Sequence, residues 1–465
     1  EAQGKTMADK ITEVREHILG GLESGELAGG DKLPGAREFS ERIGVSLAIV
    51  QSAFTSLVRE GILESVSRSG TFVRHDWRER ILPGSFVSFR RFWPNLIGEF
   101  REAIPGIEPL NSFEKGMFEV RATLDVQQNR DEYLDLAGLF DAEYPEKGCF
   151  FEAPFKNFRT VDGRLFGIPL IFSPRVFCYN PELLARLGCP EPHSGWNFDE
   201  FLDDVRILRR SLPPNRIFNW SNYSFFWINF IFRAGGSIID GGKVMIDHPR
   251  TLAGIFCVKA LYEALGVREL KVGWDYAEHF NAGECAFLFA AREEVDFNAR
   301  CRWKNVPMPL IPGGADLTAQ ATDLLCIRRH NGDIELAGKM VRTMLSETFQ
   351  DRLGELRYGI PIRKTSAINS FDANDPRDLL FLSEMTKISA GYNIDSPEIS
   401  NLISNGVCEI LYNRADPIEV TTELGNVLRS VLRLRAFTPK AVRKNLQDQE
   451  REVVCAGAAG EFSAV

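Results

Sequence analysis

The sequence predicts a small helical domain that closes with a β-hairpin, followed by a much larger α/β domain. A glycine separates two helical patterns near residue 44, and hairpin signals follow the second of them. From residue 84 onward, short apolar runs alternate with longer amphipathic runs, which is typical of α/β domains. The 465 residues also exceed what one hydrophobic core usually organises, so we expect at least two domains.

Three helices should form the N-terminal domain, at residues 5–24, at residues 37–43 and after Ser46. Gly44 breaks the chain between the second and third helices, and Ser46 is the candidate N-cap of the third. Apolar residues of the third helix recur at three- and four-residue steps and so share one face. They are Val50, Ala53, Phe54, Leu57 and Val58. The opposite side could enter a DNA major groove and carries Leu47, Ala48, Gln51, Ser52, Thr55 and Arg59. A hairpin should follow, with strands at residues 62–65 and 71–73.

Four short motifs mark about the first 75 residues. They are Leu33-Pro34 with Arg37, Gly44-Val45-Ser46, Leu57-x-x-Glu60-Gly61 at the end of the apolar frame, and Gly70-Thr71-Phe72-Val73. With them, this stretch resembles the winged helix-turn-helix domain of GntR-family bacterial transcription regulators. In that family the arginine equivalent to Arg37 and the start of the third helix contact DNA, and the hairpin, or wing, reaches the backbone or the minor groove. The resemblance implies DNA contacts from Lys32, Arg37, Ser46, Gln51, Ser52, Arg59, Arg68, Gly70 and Thr71.

Two features depart from the usual pattern of that family. The first turns of the third helix lack the arginines that would contact guanine. They hold Leu47, Ala48, Ile49, Gln51 and Ser52 instead. Because Gln51 can read adenine and the apolar residues can meet thymine methyl groups, we expect an operator rich in A and T. Residues 1–76 also carry 9 Lys and Arg against 12 Asp and Glu, an unusual balance for a DNA-binding domain. A protein–protein module that no longer binds DNA is therefore an alternative.

Composition argues against several classes of protein. The nine cysteines form no CxxC pair and lie in apolar settings, so we expect buried free thiols rather than disulfides or a metal site. No stretch offers about 18 consecutive apolar residues, and the first ten residues are unlike a signal peptide. No lysine stands in recognisable aminotransferase motifs, and there is no P-loop, GxSxG or HExxH. We expect a cytoplasmic protein without a cofactor, without a membrane partner and without enzymatic activity.

The expected domain boundaries follow from the breaks in pattern. The DNA-binding domain should cover residues 1–76, a linker residues 77–83, the large domain residues 84–450 and a tail residues 451–465. Strands of the large domain are expected at residues 85–89, 124–127, 166–170 and 176–180. Helices are expected at residues 92–104, 133–140, 197–208 and 376–449. The stretch at residues 109–125 is short for the strand-helix-strand expected there, so residues could be missing from it.

A second series of motifs runs through the large domain. It consists of Gly167-Ile168-Pro169, Tyr179-Asn180, Trp196-x-Phe198-Asp199-Glu200-Phe201, Gly235-Gly236 with Ile239-Asp240-Gly241-Gly242-Lys243, Ile246-Asp247-x-Pro249, Phe280-x-x-Gly283-x-x-Ala286, Pro307-x-Pro309-x-x-Pro312-Gly313 and Gly359-Ile360-Pro361. In this order the motifs resemble the family 1 extracellular solute-binding proteins, the sugar-binding components of ABC importers. The resemblance implies a periplasmic-binding-protein-like fold, in which hinge strands near residues 177–180, 306–309 and 324–327 join two α/β lobes that enclose the ligand.

Candidate ligand-binding residues lie at several places in this domain. Sugars need aromatic faces and planar polar side chains, and residues 219–227 supply both where the family places cleft residues. The candidates are Trp220 and Trp227 from this stretch, Arg90 (or Arg91), Asn129 and Arg130 after predicted strands, Ser173 beside Arg175, Arg292, and Asp323. Each also has a structural alternative: the tryptophans could be core, the loop charges could be solvated, and Asp323 could pair with Arg328.

The two resemblances together imply a one-component transcription regulator. Its winged helix would bind operator DNA, its second domain would bind a small solute, a sugar in the first place, and closure around the solute would change operator affinity. We expect a homodimer, because operator half-sites are read in pairs. An acidic sugar, a peptide or a polyamine would be alternative effectors, and a dimerisation module with an inactive cleft is an alternative role.

Overall fold

The computed structural model describes residues 7–23, 26–59, 62–75, 77, 84–90, 93–101, 104–105, 107–110, 115–156, 158–160, 163–221, 224–267, 276–328, 334–389 and 397–437. The chain divides into two compact units. The first consists of Glu1–Val120, Glu132–Leu134 and Leu325–Thr343, and the second of Arg121–Asp131, Asp135–Leu324 and Met344–Val465.

The N-terminal part of the first unit has the elements that the sequence predicts. Helices α1 (Met7–Glu23), α2 (Ala36–Ile43) and α3 (Leu47–Arg59) are followed by strands β1 (Leu63–Val66) and β2 (Gly70–Val73). The strands pair antiparallel, with Leu63 opposite Val73. The core is built from one face of each helix, as the apolar periodicity requires. Its fully buried members include Val14, Leu22, Val50, Ala53 and Leu57.

The remaining strands and helices follow in chain order. The strands are β3 (Ser85–Ser88), β4 (Glu108–Pro109), β5 (Phe118–Ala122), β6 (Ile168–Ser173), β7 (Val176–Tyr179), β8 (Ile239–Asp240), β9 (Lys243–Val244), β10 (Phe287–Ala290), β11 (Lys304–Val306), β12 (Ala321–Ile327) and β13 (Ile360–Pro361). The helices are α4 (Ile97–Phe100), α5 (Thr123–Gln128), α6 (Ala137–Glu143), α7 (Glu152–Lys156), α8 (Pro181–Arg186), α9 (Phe198–Leu208), α10 (Pro214–Ile217), α11 (Ser224–Arg233), α12 (Pro249–Leu265), α13 (Tyr276–Asn281), α14 (Ile334–Leu345), α15 (Glu347–Glu355), α16 (Lys364–Asn369), α17 (Pro376–Glu384), α18 (Pro397–Leu411) and α19 (Pro417–Phe437).

Parallel pairing joins the strands that follow the wing. Strand β3 pairs in parallel with β4 on one side and with β5 on the other. Its four residues are all buried, which is typical of a strand covered on both faces. Phe86 on β3 packs against Phe100 on α4, with the ring centroids 5.6 Å apart.

The second unit contains strands of several sheets, among them the antiparallel pair of β8 and β9. Strand β7 is the middle strand of a three-stranded sheet and pairs antiparallel with β10 and β11. Strand β6 pairs antiparallel with β13. The aromatic core of this unit centres on Phe177 of β7, whose ring stacks on Phe218 at 5.2 Å and meets Phe201 of α9 edge-on at 5.0 Å. Helix α9 begins with a capping box, in which the side chains of Asn197 and Glu200 each bond the other's backbone N–H.

Several expected elements differ from the structure. The strand predicted at residues 124–127 is helix α5, and the strand there is β5, which ends before it. Four alternating residues are too few to distinguish the two periods, and tertiary pairing with β3 decides. In the described part of residues 92–104, where a helix is predicted, the structure has α4 and a 3₁₀ turn before it, and the helix predicted at residues 133–140 begins at Ala137.

The two strands predicted on either side of Pro174 are present but do not form a pair. Strand β6 belongs to one sheet and β7 to another. Hairpin turns of two residues need a positive φ, which proline cannot adopt. The connection therefore carries the chain from one sheet to the next.

Candidate functional site

The outward side of α3 is the candidate surface for reading DNA bases. Ala48, Gln51 and Thr55 are exposed, whereas Leu47 and Ser52 are half-buried. Ile49 is only 7% exposed and belongs to the core, so our expectation that it meets thymine methyl groups is wrong. It lies four residues before Ala53 and eight before Leu57, so its side chain falls on their buried face of the helix.

The turn between α2 and α3 sets the start of this helix. Gly44 has φ 76° and ψ 27°, a left-handed conformation, and its N–H donates to the carbonyl of Ser40 at 3.0 Å. The Ser40 hydroxyl donates to the carbonyl of Val45 at 2.6 Å. Ser46 is exposed, directly precedes α3, and its carbonyl accepts the N–H groups of Ile49 and Val50. The turn therefore presents Ser46 and the first turn of α3 at the surface.

Four of the predicted DNA-binding residues come together on the wing. Residues 31–33 run beside β2, where the N–H of Leu33 donates to the carbonyl of Thr71 at 2.9 Å. The Lys32 ammonium lies 5.8 Å from the centre of the Phe72 ring. A Cβ at Gly70, which has φ 119°, would come within 2.9 Å of the Lys32 side chain. Arg68 lies in the turn with φ 63° and is exposed. Arg37 is exposed on α2, and the side chain of Arg59 lies outside the described residues.

The two tryptophans expected at the ligand are in the core of the second unit. Trp220 is 4% exposed and Trp227 is 1% exposed. The ring of Trp220 meets Tyr262 edge-on at 5.8 Å, and the Tyr262 hydroxyl donates to the carbonyl of Ser221 at 2.6 Å. These contacts hold residues 219–221 against α12.

Among the described aromatic residues of this stretch, Phe225 is the one that reaches the surface. It is 41% exposed, and the Arg175 guanidinium lies 5.1 Å from its ring centre. Arg175 forms two hydrogen bonds to the Glu294 carboxylate, at 2.6 and 3.1 Å. Sequence reasoning missed Phe225. The sequence signal for it is that Phe225, Asn229 and Arg233 are spaced four residues apart. They therefore share one face of α11 that differs from its apolar face.

Arg292 and Ser173 are joined to each other and to neighbouring backbone. Arg292 is fully buried and bonds both carboxylate oxygens of Asp378, at 2.7 and 3.1 Å, and the carbonyl of Gly359 at 2.6 Å. The Ser173 hydroxyl accepts the N–H of Arg292 at 2.9 Å and donates to the carbonyl of Pro174 at 2.7 Å. In this structure the two residues connect the β6–β7 link with the segment after β10.

The other four candidates lie at separate places. Arg90 is half-buried, with its guanidinium 4.9 Å from the centre of the Phe89 ring. Asn129 is exposed at the end of α5, where its side-chain amide donates to the carbonyl of Asp125 at 3.0 Å. Arg130 begins a 3₁₀ turn. Our premise that Asn129 and Arg130 follow a strand is wrong, because α5 separates them from β5. Asp323 is fully buried within β12.

A buried charge cluster lies in the first unit. Glu119 of β5 is fully buried and accepts the Arg328 Nε at 2.6 Å and the Tyr133 hydroxyl at 3.1 Å. Arg328 also bonds Glu132. Burial alone would disfavour the charged guanidinium, but Glu119 and Glu132 outweigh it and raise the pKa of Arg328. Arg328 therefore stays charged.

Metal, disulfide and membrane chemistry receive no support from the described residues. Within the described ranges, no group of three or more His, Cys, Asp or Glu side chains could hold a metal ion. The eight cysteines there are free thiols, and burial raises the pKa of Cys285 and of Cys301 to about 11. In that same part of the chain, no helix is both long enough and apolar enough to cross a bilayer.

Comparison with known sequences divides the chain in two. Residues 10–73 match the model of the family described as bacterial regulatory proteins, gntR family. Over 72 residues the chain is 35% identical to the HTH-type transcriptional repressor NagR of Bacillus subtilis, which is 16% of this chain and 30% of that protein. Over 410 residues it is 21% identical to a putative binding protein of Brucella abortus, which is 83% of this chain and 96% of that protein.

Solved structures share the fold of most of the chain. Maltose-bound MalE3 of T. maritima superimposes with a TM-score of 0.60 at 18% identity, over 75% of this chain and 100% of that one. UgpB of Mycobacterium tuberculosis, in complex with glycerophosphocholine, superimposes with a TM-score of 0.62 at 17% identity, over 76% and 99%. The predicted fold, a winged helix followed by a two-lobe α/β solute-binding fold, is confirmed.

Proposed function

We propose that this chain, in which a GntR-type winged helix is joined to the fold of sugar-binding proteins, is a cytoplasmic one-component transcription regulator. The winged helix binds operator DNA and the larger domain binds a sugar as effector. The observation that carries the proposal is the presence in one chain of a gntR-family match and a MalE-like fold. A winged helix has no use in an importer's receptor, whereas a solute-binding fold is suited to sense an effector.

Allosteric coupling and dimerisation are parts of the same proposal. A sugar that binds the closed form better than the open form shifts the protein toward closure. A coupling free energy of about 1–3 kcal/mol changes operator affinity by roughly 5- to 150-fold. Two winged helices on one operator imply a homodimer.

The exposed side chains of α3 and the wing support DNA binding. Gln51 faces outward on α3, and Lys32 and Arg68 place cations on the wing. Arg37 adds a fourth polar group on α2. The acidic balance of residues 1–76 is compatible with binding if these cations are the ones that meet the phosphates.

Operator titration tests the DNA half. A duplex selected from a random-sequence library by the full-length protein serves as the operator. We expect Arg37→Ala to weaken binding at every sequence, and Gln51→Ala to cost about 1–3 kcal/mol and to relax the preference at one base pair. Arg42→Ala removes an exposed arginine from another face of α2 and is the control. Enrichment of no sequence at all would favour the protein–protein alternative.

Phe225 supports a sugar as the effector. A sugar ring presents C–H patches that stack on an aromatic face. Phe225 offers such a face, and Arg175, which lies against its ring and bonds the Glu294 carboxylate, adds polar groups. Ser173, Trp220, Trp227, Arg292 and Asp323 then support this region from within rather than by contact with solute. Arg90, Asn129 and Arg130 remain proposed contacts.

Thermal unfolding of the full-length protein against mono- and oligosaccharides, including uronic acids, tests the effector half. At about 100 times its dissociation constant, a ligand adds roughly 2.7 kcal/mol and raises the midpoint by several degrees. We expect Phe225→Ala to lose this rise and Phe256→Ala to keep it. Phe256 is 43% exposed in the same unit, which makes it a matched control.

A non-sugar solute is the second candidate effector. The UgpB structure has the same fold and holds glycerophosphocholine, so the panel includes this compound with peptides and polyamines. A midpoint that only these compounds raise would replace the sugar. If no compound raises it, the dimerisation module with an inactive cleft becomes the better explanation, and an elution volume that no solute changes would agree with it.

A further inference from the structure

We propose that strand β12 transmits the effect of a bound solute to the winged helix, and that residues at its two ends act as positioning residues. The inference rests on the proposed function. Four residues of β12 belong to the second unit and three to the first. All seven are buried. A buried strand resists local deformation, because a packed interior deforms little.

One face of α11 anchors the chain just before β12. Phe225, Asn229 and Arg233 follow at four-residue steps and so share this face. The fully buried Asn229 accepts the N–H of Ala319 at 2.9 Å, and its amide donates to the carbonyl of Phe225 at 2.6 Å. Arg233, 1% exposed, bonds the carbonyls of Met308 and Pro309 and the carboxylate of Asp316.

Thr318 connects this face of α11 with Arg175. Its hydroxyl oxygen accepts the backbone N–H of Arg175 at 3.4 Å and lies 3.4 Å from the Asn229 carbonyl oxygen. Its own N–H donates to the carbonyl of Lys387 at 3.0 Å, and its carbonyl accepts the N–H of Ser389 at 2.8 Å. Arg175 also carries the guanidinium that lies against Phe225. A solute that displaces Phe225 or Arg175 therefore acts on the residues that fix the start of β12.

The other end of β12 is anchored beside the predicted linker. Arg328 directly follows β12, and its N–H donates to the carbonyl of Met117 at 3.0 Å. The N–H of Met117 donates to the Ser85 hydroxyl at 2.8 Å, and the N–H of Gly84 lies 3.5 Å from the Met117 sulfur. Gly84 and Ser85 come directly after the predicted linker at residues 77–83.

The buried charges beside this end make the anchor rigid. The carboxylate of Glu119 bonds the Arg328 side chain, the Tyr133 hydroxyl and the N–H of Gly116, at 2.6, 3.1 and 3.0 Å. A displacement of Arg328 would cost charge-assisted bonds, which are strong in a buried cluster, so we expect the first residues after the linker to follow it.

Hydrogen exchange of the full-length protein, without solute or DNA, tests the proposal. Thr318→Val removes the hydroxyl at one end of β12. We expect the amides of Met117 and Arg328, at the other end, to exchange about 2- to 30-fold faster. Thr251→Val is the control, because Thr251 is an equally buried threonine of the same unit whose hydroxyl bonds the carbonyl of Ser237 at 2.7 Å. Thr318→Ser keeps the hydroxyl and should exchange like the wild type.

A second pair of variants tests transmission along β12 in the opposite direction, from its C-terminal end to its N-terminal end. Ser85→Ala removes the acceptor of the Met117 N–H, and we expect faster exchange of the amides of Thr318 and Ala319. Ser88→Ala is the control: Ser88 is also buried on β3, but its hydroxyl bonds Arg90, two residues away, rather than Met117. This pair decides the question if Thr318→Val does not fold.

Two results would overturn the proposal. In the first, exchange at the far end of β12 is the same in each variant as in its control. In the second, all amides accelerate equally, which indicates global destabilisation rather than transmission. Because neither experiment needs solute or operator, both are independent of the saccharide panel, which tests the proposed function alone.

Discussion

At the scale of single residues, burial distinguishes aromatic side chains that, from the sequence alone, are equally good candidates for contact with a ligand. Residues 219–227 contain two tryptophans, two phenylalanines and a tyrosine, and the structure describes all of them except Tyr223. Trp220 and Trp227 are inside, and Phe225 is the one of this described set that is exposed. Stacking on a sugar needs an accessible ring face. Phe225 therefore replaces Trp220 and Trp227 as the candidate for stacking.

Burial also changes the acidity of Asp204 on α9. Asp204 is 5% exposed, and burial raises the pKa of its carboxyl to about 6, with the charges of Asp203 and Glu200 adding to the effect. The folded state therefore favours the protonated form. Its stabilising contribution is present at low pH and is lost as the pH rises through about 6.

The variant Asp204→Asn should remove this pH dependence. Asparagine stays neutral at both pH values. The free energy of unfolding of the variant, relative to that of the wild type, should therefore be about 1 kcal/mol higher at pH 7 than at pH 5. Urea unfolding at the two pH values measures the difference. Asp240→Asn, at an exposed aspartate of the same unit that does not contribute to the shift, is the control and should follow the wild type. An equal difference between Asp204→Asn and the wild type at both pH values would contradict the prediction.

At the scale of elements, long periodic segments were predicted well and short ones poorly. The face of α3 and the wing appear as expected, because the helix repeats its apolar pattern over several turns and the hairpin carries turn residues. Residues 124–127 were assigned to a strand and form α5, since four residues fit both periods. The α2–α3 turn depends on Gly44 in a left-handed conformation.

Replacing Gly44 with alanine should therefore destabilise the winged helix. A Cβ at Gly44 meets no atom within 4 Å, so the cost is that of the left-handed backbone alone, about 1–2 kcal/mol. The opposite sign is expected for Gly20→Ala in α1, where a Cβ is equally unobstructed and alanine favours the helix by about 0.5–1 kcal/mol. Chemical unfolding of both variants measures the difference. If Gly44→Ala were neutral, the turn would not need this conformation.

At the scale of the whole molecule, the proposed function depends on a small coupling free energy between the solute-binding fold and the winged helix. A midpoint rise of several degrees reports binding to the solute-binding fold, and the change in operator affinity reports its transfer to the winged helix. The two measurements are separable. A variant that binds sugar without a change in operator affinity would have lost the coupling between the two domains while keeping the sugar site. We expect variants of this kind to arise from substitutions at the ends of β12.

The sequence by itself determined the fold class, the DNA-binding helix and the wing, because these follow from periodicity, capping residues and turn residues close together in the chain. It also determined which chemistry was available: aromatic rings, arginines and amides. Only the tertiary structure decided which of them reach the surface. Arg292 pairs with Asp378 and Arg328 with Glu119, partners 86 and 209 residues away in the sequence. Such pairing, like the burial of Trp220 and the exposure of Phe225, depends on contacts between distant segments that no local pattern encodes.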